Sequence, residues 1–438
     1  MVQLSANVLA AAAQPLTFSE SDYDDLMKWI GNARFVLIGE ASHGTHDFYH
    51  ERALITRRLI REKAFTAVAI EGDWPDAFRV NRFVRGRSQE SELQSLAGFK
   101  RFPAWMWRNM DVLDFIDWLR RHNESLPEDR RAGFYGLDLY SLHASIDAVL
   151  QFLEKADPDA AVRARQRYSC FEQFGEDTQA YGYATSFGMS ESCEREVVNQ
   201  LVEMRRRAAE LAKRDGKIDH EEIFSAEQNA RVVKNAETYY RTMFRGQVES
   251  WNIRDRHMAD TLSQLVEHFG PQSKFVVWAH NSHVGDARAT RMGRSGELNI
   301  GQLARQRYGD DTYLLGFTTH NGEVTAASDW GGVAERKRVR AALPGSIESE
   351  FHYVGIDNFL LPLRSPAVRE ELSRPRLERA IGVIYLPETE RASHYFDARI
   401  GEQFDSVIHI DRTRALIPLE RTSEWEAGEP PETYPFAV

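Results

Sequence analysis

The sequence predicts an α/β protein: a mostly parallel central sheet flanked by helices, with a large helical insertion forming a lobe or lid over the cleft. Three observations lead there. Short apolar runs of strand character alternate with helix-period segments. Four of the early runs stop abruptly in acids or histidines. Between about 141 and 270 the pattern is almost wholly helical and charged. The expected organisation is a single domain over 1–438 with 141–270 inserted within it.

Residues 1–20 read as a lead-in. The Ala run ending at Ala13 has no Lys or Arg before it, which argues against a signal peptide. A helix is expected over Ser21–Ile30 with Ser21 as its N-cap. Phe35–Ile38 then reads as a short buried strand, and the polarity reverses at once: Gly39, Glu40, Ser42, His43, Gly44. The next helix, over 47–61, puts Phe48, Tyr49, Ile55, Leu59 and Ile60 on one side, with Arg52 in the middle of that side. Arg52 either snorkels to solvent or aims its cation at the carboxylates of the strand end.

A second strand, Ala67–Ile70, runs into Glu71 and Asp73. Helices fill 76–122 around the aromatic segment Phe102–Trp107, whose tryptophans serve either the core or a pocket wall. A third strand, Phe134–Gly136, ends in Asp138. Inside the helical insertion, 171–189 is rich in Gly and aromatic residues and reads as a loop, a candidate lid carrying Tyr181. A helix from about 250 to 269 places Asp255 on an apolar stripe with Met258, Leu262 and Val266, bordered by Arg254. A buried acid there wants a partner. The fourth strand, Phe275–Trp278, empties into His280 and His283. Later strands are expected at Tyr313–Phe317, Val324–Ala326, Phe359–Leu363, Gly382–Leu386 and Ser406–Ile410, before an irregular tail from about Glu424.

Composition narrows the function. The apolar fraction of 42% is that of a globular protein. A net charge of −11 argues against a general nucleic-acid binder. Cys170 and Cys193 are too few for a disulfide framework or a cysteine-only zinc site, which fits a reducing compartment. The longest apolar runs are about six residues, far short of the roughly 20 that span a bilayer. The expectation is a cytoplasmic protein acting on a small molecule, without nucleic-acid or membrane partners.

Ligands of parallel sheets bind beyond the carboxyl ends of the strands. Here those ends carry Glu40 and His43, Glu71, Asp138, and His280 and His283. These residue types suit hydrolysis. An imidazole can take the proton of an attacking water near pH 7, a carboxylate can hold its other nitrogen, and a second histidine or an arginine can stabilise the developing oxyanion. Ser42 is a poor nucleophile candidate, because an elbow motif needs glycine where Glu40 stands. His280-x-x-His283 with His43, Glu40 and Glu71 is also a conceivable zinc, iron or manganese set. His46 and His50 read as surface or supporting positions. A non-catalytic small-molecule binder is a third possibility.

Gly39–Gly44, Arg52, Ala69–Glu71, Trp278–His283, the Phe102–Trp107 stretch, Gly136–Asp138 and Asn252–Asp255, in that order and spacing, resemble the erythromycin esterase family. The resemblance runs from about residue 30 to beyond 400. It implies an α/β fold with a deep cleft beneath a helical lobe. It also implies metal-independent hydrolysis of an ester, in the best-known members the macrolactone of a macrolide antibiotic, with antibiotic resistance as the result. By that resemblance His43 is the general base and Glu40, Glu71, Arg52, His280 and His283 line the same cleft. The expected catalytic set is therefore His43, Glu40, Glu71, His280, His283 and Arg52. Asp138, Arg254, Asp255, Trp105 and Tyr181 are assigned to substrate binding. No cofactor or metal is expected.

Overall fold

The computed structural model describes residues 2–211 and 219–428. Its strands, in chain order, are β1 (Gln14–Pro15), β2 (Phe35–Ile38), β3 (Ala67–Asp73), β4 (Gly133–Asp138), β5 (Phe275–Trp278), β6 (Thr312–Ala326), β7 (Glu335–Val339), β8 (Asn358–Pro362), β9 (Arg376–Arg379), β10 (Tyr395–Ala398) and β11 (Ser406–Thr413). The central sheet runs β1-β8-β11-β6-β2-β5-β3-β4, with β7 paired to β6; β9 and β10 form a separate ribbon. The six strands from β11 to β4 are mutually parallel. β8, β1 and β7 add antiparallel pairings.

The four strands with polar ends are adjacent, in the order β2-β5-β3-β4. Their register is nearly flush: Ile38 and Ile70 both pair with Trp278. Parallel pairing then delivers all four carboxyl ends to one edge. β2 and β5 are buried along their whole length, as expected for parallel strands covered on both faces.

Alternate residues feed two cores. Val36, Ile38, Val68, Ile70 and Trp278 face one layer with Ile55, Leu59, Phe115 and Leu119. Phe35, Leu37, Ala67, Ala69 and Val277 face the other with Met258, Leu262, Leu265, Ile300 and Ala304. The period of two along each strand assigns its side chains to opposite layers.

The lobe has its own core, which joins Val149, Ala164, Phe171, Tyr181 and Val233 from helices Leu142–Ala156, Pro158–Tyr168, Thr178–Ser186 and His220–Thr242 with the turn Ser169–Phe174. The helix Gln247–Phe269, inside the stretch expected to form the lobe, instead buries its apolar stripe against the sheet.

Several expectations are corrected. The segment 171–189 is not an open loop but the turn Ser169–Phe174 and the helix Thr178–Ser186, whose first turn is capped by Asp177 accepting from the Ala180 N–H at 2.9 Å. The runs at 313–317 and 324–326 are one strand, β6. Gly382–Leu386 is not a strand, because its chain pairs one residue at a time with two different partners: Ile381 with Ser42 and Ile384 with Ala327. Ser19, not Ser21, caps a 3-10 turn, Glu20–Tyr23, that leads into the helix Asp24–Ile30, and its N–H donates to Asp22 at 3.2 Å. Cys170 and Cys193 are joined as a disulfide within the lobe, their Cα atoms 6.0 Å apart, so the cysteines no longer favour a reducing compartment. Of the tail expected to be irregular, Ser423–Ala427 is a short helix, and 429–438 lie outside the described residues. No described helix is long and apolar enough to cross a membrane.

Candidate active site

The turn after β2 is set by two glycines. A Cβ on Gly39 would sit 2.0 Å from Asn281 Oδ1, and one on Gly44 would sit 1.7 Å from the Thr325 carbonyl. Only glycine permits such close approach. Asn281 in turn donates to the Phe317 carbonyl at 2.7 Å, so the polar turn is fastened across the sheet edge.

His43 leaves this turn with Nδ1 2.9 Å from Glu40 Oε1. Glu40 is fully buried, and its other oxygen lies 3.1 Å from Arg52 Nη1. Arg52 is fully buried too, with its guanidinium 3.9 Å from the Tyr49 ring centroid and 4.8 Å from that of Trp278. The stacked cation offsets the charge of Glu40 in a place water does not reach. Arg52 does not line the cleft; it holds Glu40. This corrects its expected part in stabilising an oxyanion.

Glu71 sits at the end of β3. Its Oε2 accepts the His280 backbone N–H at 2.8 Å, and its Oε1 lies 2.7 Å from Arg254 Nη2 and 3.3 Å from His283 Nε2. Burial alone would raise its carboxyl, but His283 and Arg254 hold it well below the usual carboxylate range. Asp138 makes a two-pronged contact with Arg254, at 3.0 and 2.7 Å. Burial works against its charge, and Arg254 keeps it ionised. Arg254 is thus clamped between two strand ends.

His283 donates through Nδ1 to Asp255 at 2.9 Å. Burial opposes its charge, yet Asp255 and Glu71 raise it to about 9. Its Nε2 is also 3.0 Å from Arg254 Nη1. Arg254 can only donate at this contact, while Glu71 Oε1 lies farther from the same nitrogen, at 3.3 Å. Trp251 lies flat on this ring, centroids 4.6 Å apart. Asp255 is fully buried and also accepts the Ile300 N–H at 3.0 Å; its role is to fix His283, not to meet a ligand.

His280 is as buried as His283 but is shifted in the opposite direction. Burial and the neighbouring His43 push it down to about 3, so it is neutral. Its Nδ1 accepts the Ser282 N–H at 3.2 Å, which places its single proton on Nε2. The Ala41 carbonyl also favours a proton on this ring, but Nε2 makes no hydrogen bond of good geometry. The ring centroids of His43 and His280 are 4.8 Å apart. A base candidate and a neutral imidazole whose buried Nε2 lacks a well-aligned partner therefore stand side by side.

Two chambers meet at His43, Glu71 and Arg254. One, about 190 Å³, is walled by Phe99, Phe102, Met106, Trp107 and Trp330 and carries the Asp73–Arg101 ion pair. The other, about 330 Å³, is walled by Trp251, His280, Ser282, Met292 and Glu297. Asp138 lines the first and His283 the second. Trp105 lines neither and packs into the core, while Trp107 turns to the cleft and donates to the Glu71 carbonyl at 3.1 Å. Tyr181 is buried in the lobe with its hydroxyl on Glu237 at 2.8 Å, away from both chambers. Ser42 is buried and hydrogen-bonds Thr45. His46 and His50 pair with Asp111 and Glu51. Among the described residues, the cleft's histidines and acids do not gather into a compact three-donor metal group.

The sequence reading left Trp107 open between core and pocket wall, and it missed Trp251 and Trp330 as site residues. Trp251 was within reach, since it precedes Arg254 by three positions on one helix and so shares its face. Trp330 follows β6 in an irregular segment that carries no such signal.

The erythromycin esterase family profile matches residues 60–413. The chain belongs to the erythromycin esterase family. It is 22% identical to an erythromycin esterase type II of Escherichia coli over 91% of this chain and 94% of that one. A solved succinoglycan biosynthesis protein superposes with a TM-score of 0.77 at 22% identity, covering 95% and 98% of the two chains. An erythromycin esterase mutant in its open conformation gives 0.66 at 17% identity, covering 91% and 96%. These structures share the fold of this erythromycin esterase family member. Family membership supports a hydrolase of esterase type.

Proposed function

We propose that the protein hydrolyses a carboxylic ester or lactone by water that His43 activates. The observation that carries this reading is a pairing: His43 tied through Nδ1 to a buried carboxylate, beside a neutral His280 whose buried Nε2 makes no well-aligned hydrogen bond. His43 Nε2 takes a proton from water as the water oxygen attacks the carbonyl carbon. The carbonyl oxygen becomes an oxyanion and accepts from His280 Nε2–H. As the intermediate collapses, the C–O bond to the leaving alkoxide breaks and His43 returns the proton to it. Glu40 stabilises the transient imidazolium. Glu71, ionised throughout, fixes the His280 backbone.

The aromatic chamber suits the apolar part of such an ester, and a macrolide-type macrolactone is the substrate class we favour, in line with the family name. We place the reaction in the cytoplasm, on a small molecule and without nucleic-acid or membrane partners. The test is a mass-spectrometric screen of wild-type protein against esters and lactones that include macrolides. A product heavier by one water supports the reading. Tight binding of a library member without any product would overturn it in favour of a binding protein.

A further inference from the structure

We propose a second site, a surface site for a divalent transition metal such as Zn²⁺, built by His320, His352 and Asp411. His320 lies on β6, His352 ends the helix Ile347–His352, and Asp411 lies on β11. Each can place one ligand atom within 4.8 Å of the other two. The two imidazoles stack, centroids 3.9 Å apart, and His352 Nδ1 is 2.7 Å from Asp411 Oδ1. His320 Nδ1 is buried and has no hydrogen-bond partner. None of the three lines either chamber of the cleft.

Two imidazoles and one carboxylate are the donor types that zinc and its neighbours take, with a fourth position left to water. His320 Nδ1, buried and without a hydrogen-bond partner, is the ring atom left for a metal. A fourth residue supports the group from behind. His409 is fully buried, holds Thr318 Oγ1 at 2.9 Å through Nδ1, and brings Nε2 to 3.5 Å from Asp411 Oδ1. That Nε2 makes no well-aligned hydrogen bond. A histidine behind a ligating carboxylate is the usual kind of outer support at metal sites. On binding, the ion takes the place between His352 Nδ1 and Asp411 Oδ1, and the proton of the neutral His352 ring sits on Nε2. The bound ion ties β6, β11 and the helix Ile347–His352 together.

The test uses the full-length chain stripped of metal, titrated with Zn²⁺ against a chromophoric chelator. One Zn²⁺ per chain is expected at this site. His352→Ala, at an exposed position, should weaken it by more than the roughly 10–100-fold that loss of an outer partner costs. Asp411→Asn should do the same, and Zn²⁺ should raise the Tm of wild type but of neither variant. Zinc binding and Tm response unchanged in both variants, or no zinc binding by wild type, would overturn the proposal.

Discussion

His43 and Glu40 are joined through Nδ1 and Oε1 at 2.9 Å, and the acid in that pair is itself out of reach of solvent. A buried carboxylate is stable only if something answers its charge. Here Arg52 does so, and it is equally buried.

Removing one member of that ion pair leaves the other charge stranded. Arg52→Leu is expected to lower the unfolding free energy by about 3–5 kcal/mol, the usual cost of orphaning a buried charge. Denaturant titration measures it. Because Arg52 touches Glu40 and not the cleft, KM should change little while kcat falls. A variant of wild-type stability would contradict the buried pairing.

His280→Ala removes the Nε2–H proposed to stabilise the oxyanion beside His43. Loss of an oxyanion donor costs about 10²–10³-fold in kcat. The backbone N–H that binds Glu71 survives the substitution, so the fold should hold. Steady-state kinetics on any ester found by the screen checks this. A change confined to KM would assign His280 to ground-state binding instead.

Stability should depend on pH on both sides of neutrality. His283 is raised to about 9, so its contribution is complete below the unfolded value near 6.5 and disappears as pH rises through 9. Asp255→Asn, which removes the leading cause of that shift, should flatten the alkaline decline. His280 is depressed to about 3. The unfolded chain binds its proton first, so stability falls as pH drops from about 6.5 toward 3. Glu71, held low, adds to the acid loss as pH falls below the ordinary carboxylate range. Unfolding free energies measured across this range test both limbs.

Much of this architecture was legible because it rests on patterns that local chemistry enforces. Phe35–Ile38 and Phe275–Trp278 were read to the residue, since strands buried on both faces are unbroken apolar runs. The convergence of Glu40, His43, Glu71, Asp138, His280 and His283 followed from parallel pairing. Gly382–Leu386 has the same apolar character as a strand, yet its neighbours are single residues of different segments, and composition does not encode that. Arg52 and Asp255 were recognised as odd charges on apolar faces. Whether such a charge meets a ligand or holds another side chain depends on which way a helix turns in three dimensions. Tyr181 and Trp105 failed for a related reason: an aromatic near a cleft in sequence can face either the cleft or the core behind it. The His320, His352 and Asp411 cluster escaped notice because its members are scattered over almost a hundred residues.

The most direct measurement is the turnover of His43→Ala on a substrate identified by mass gain of one water, with circular dichroism and Tm recorded on the same preparation. The expected result is a fall in kcat of roughly 10²–10⁴-fold with the fold intact, the size of general-base help in such reactions. Near-normal turnover by a folded His43→Ala protein would contradict the assignment of His43 as the base.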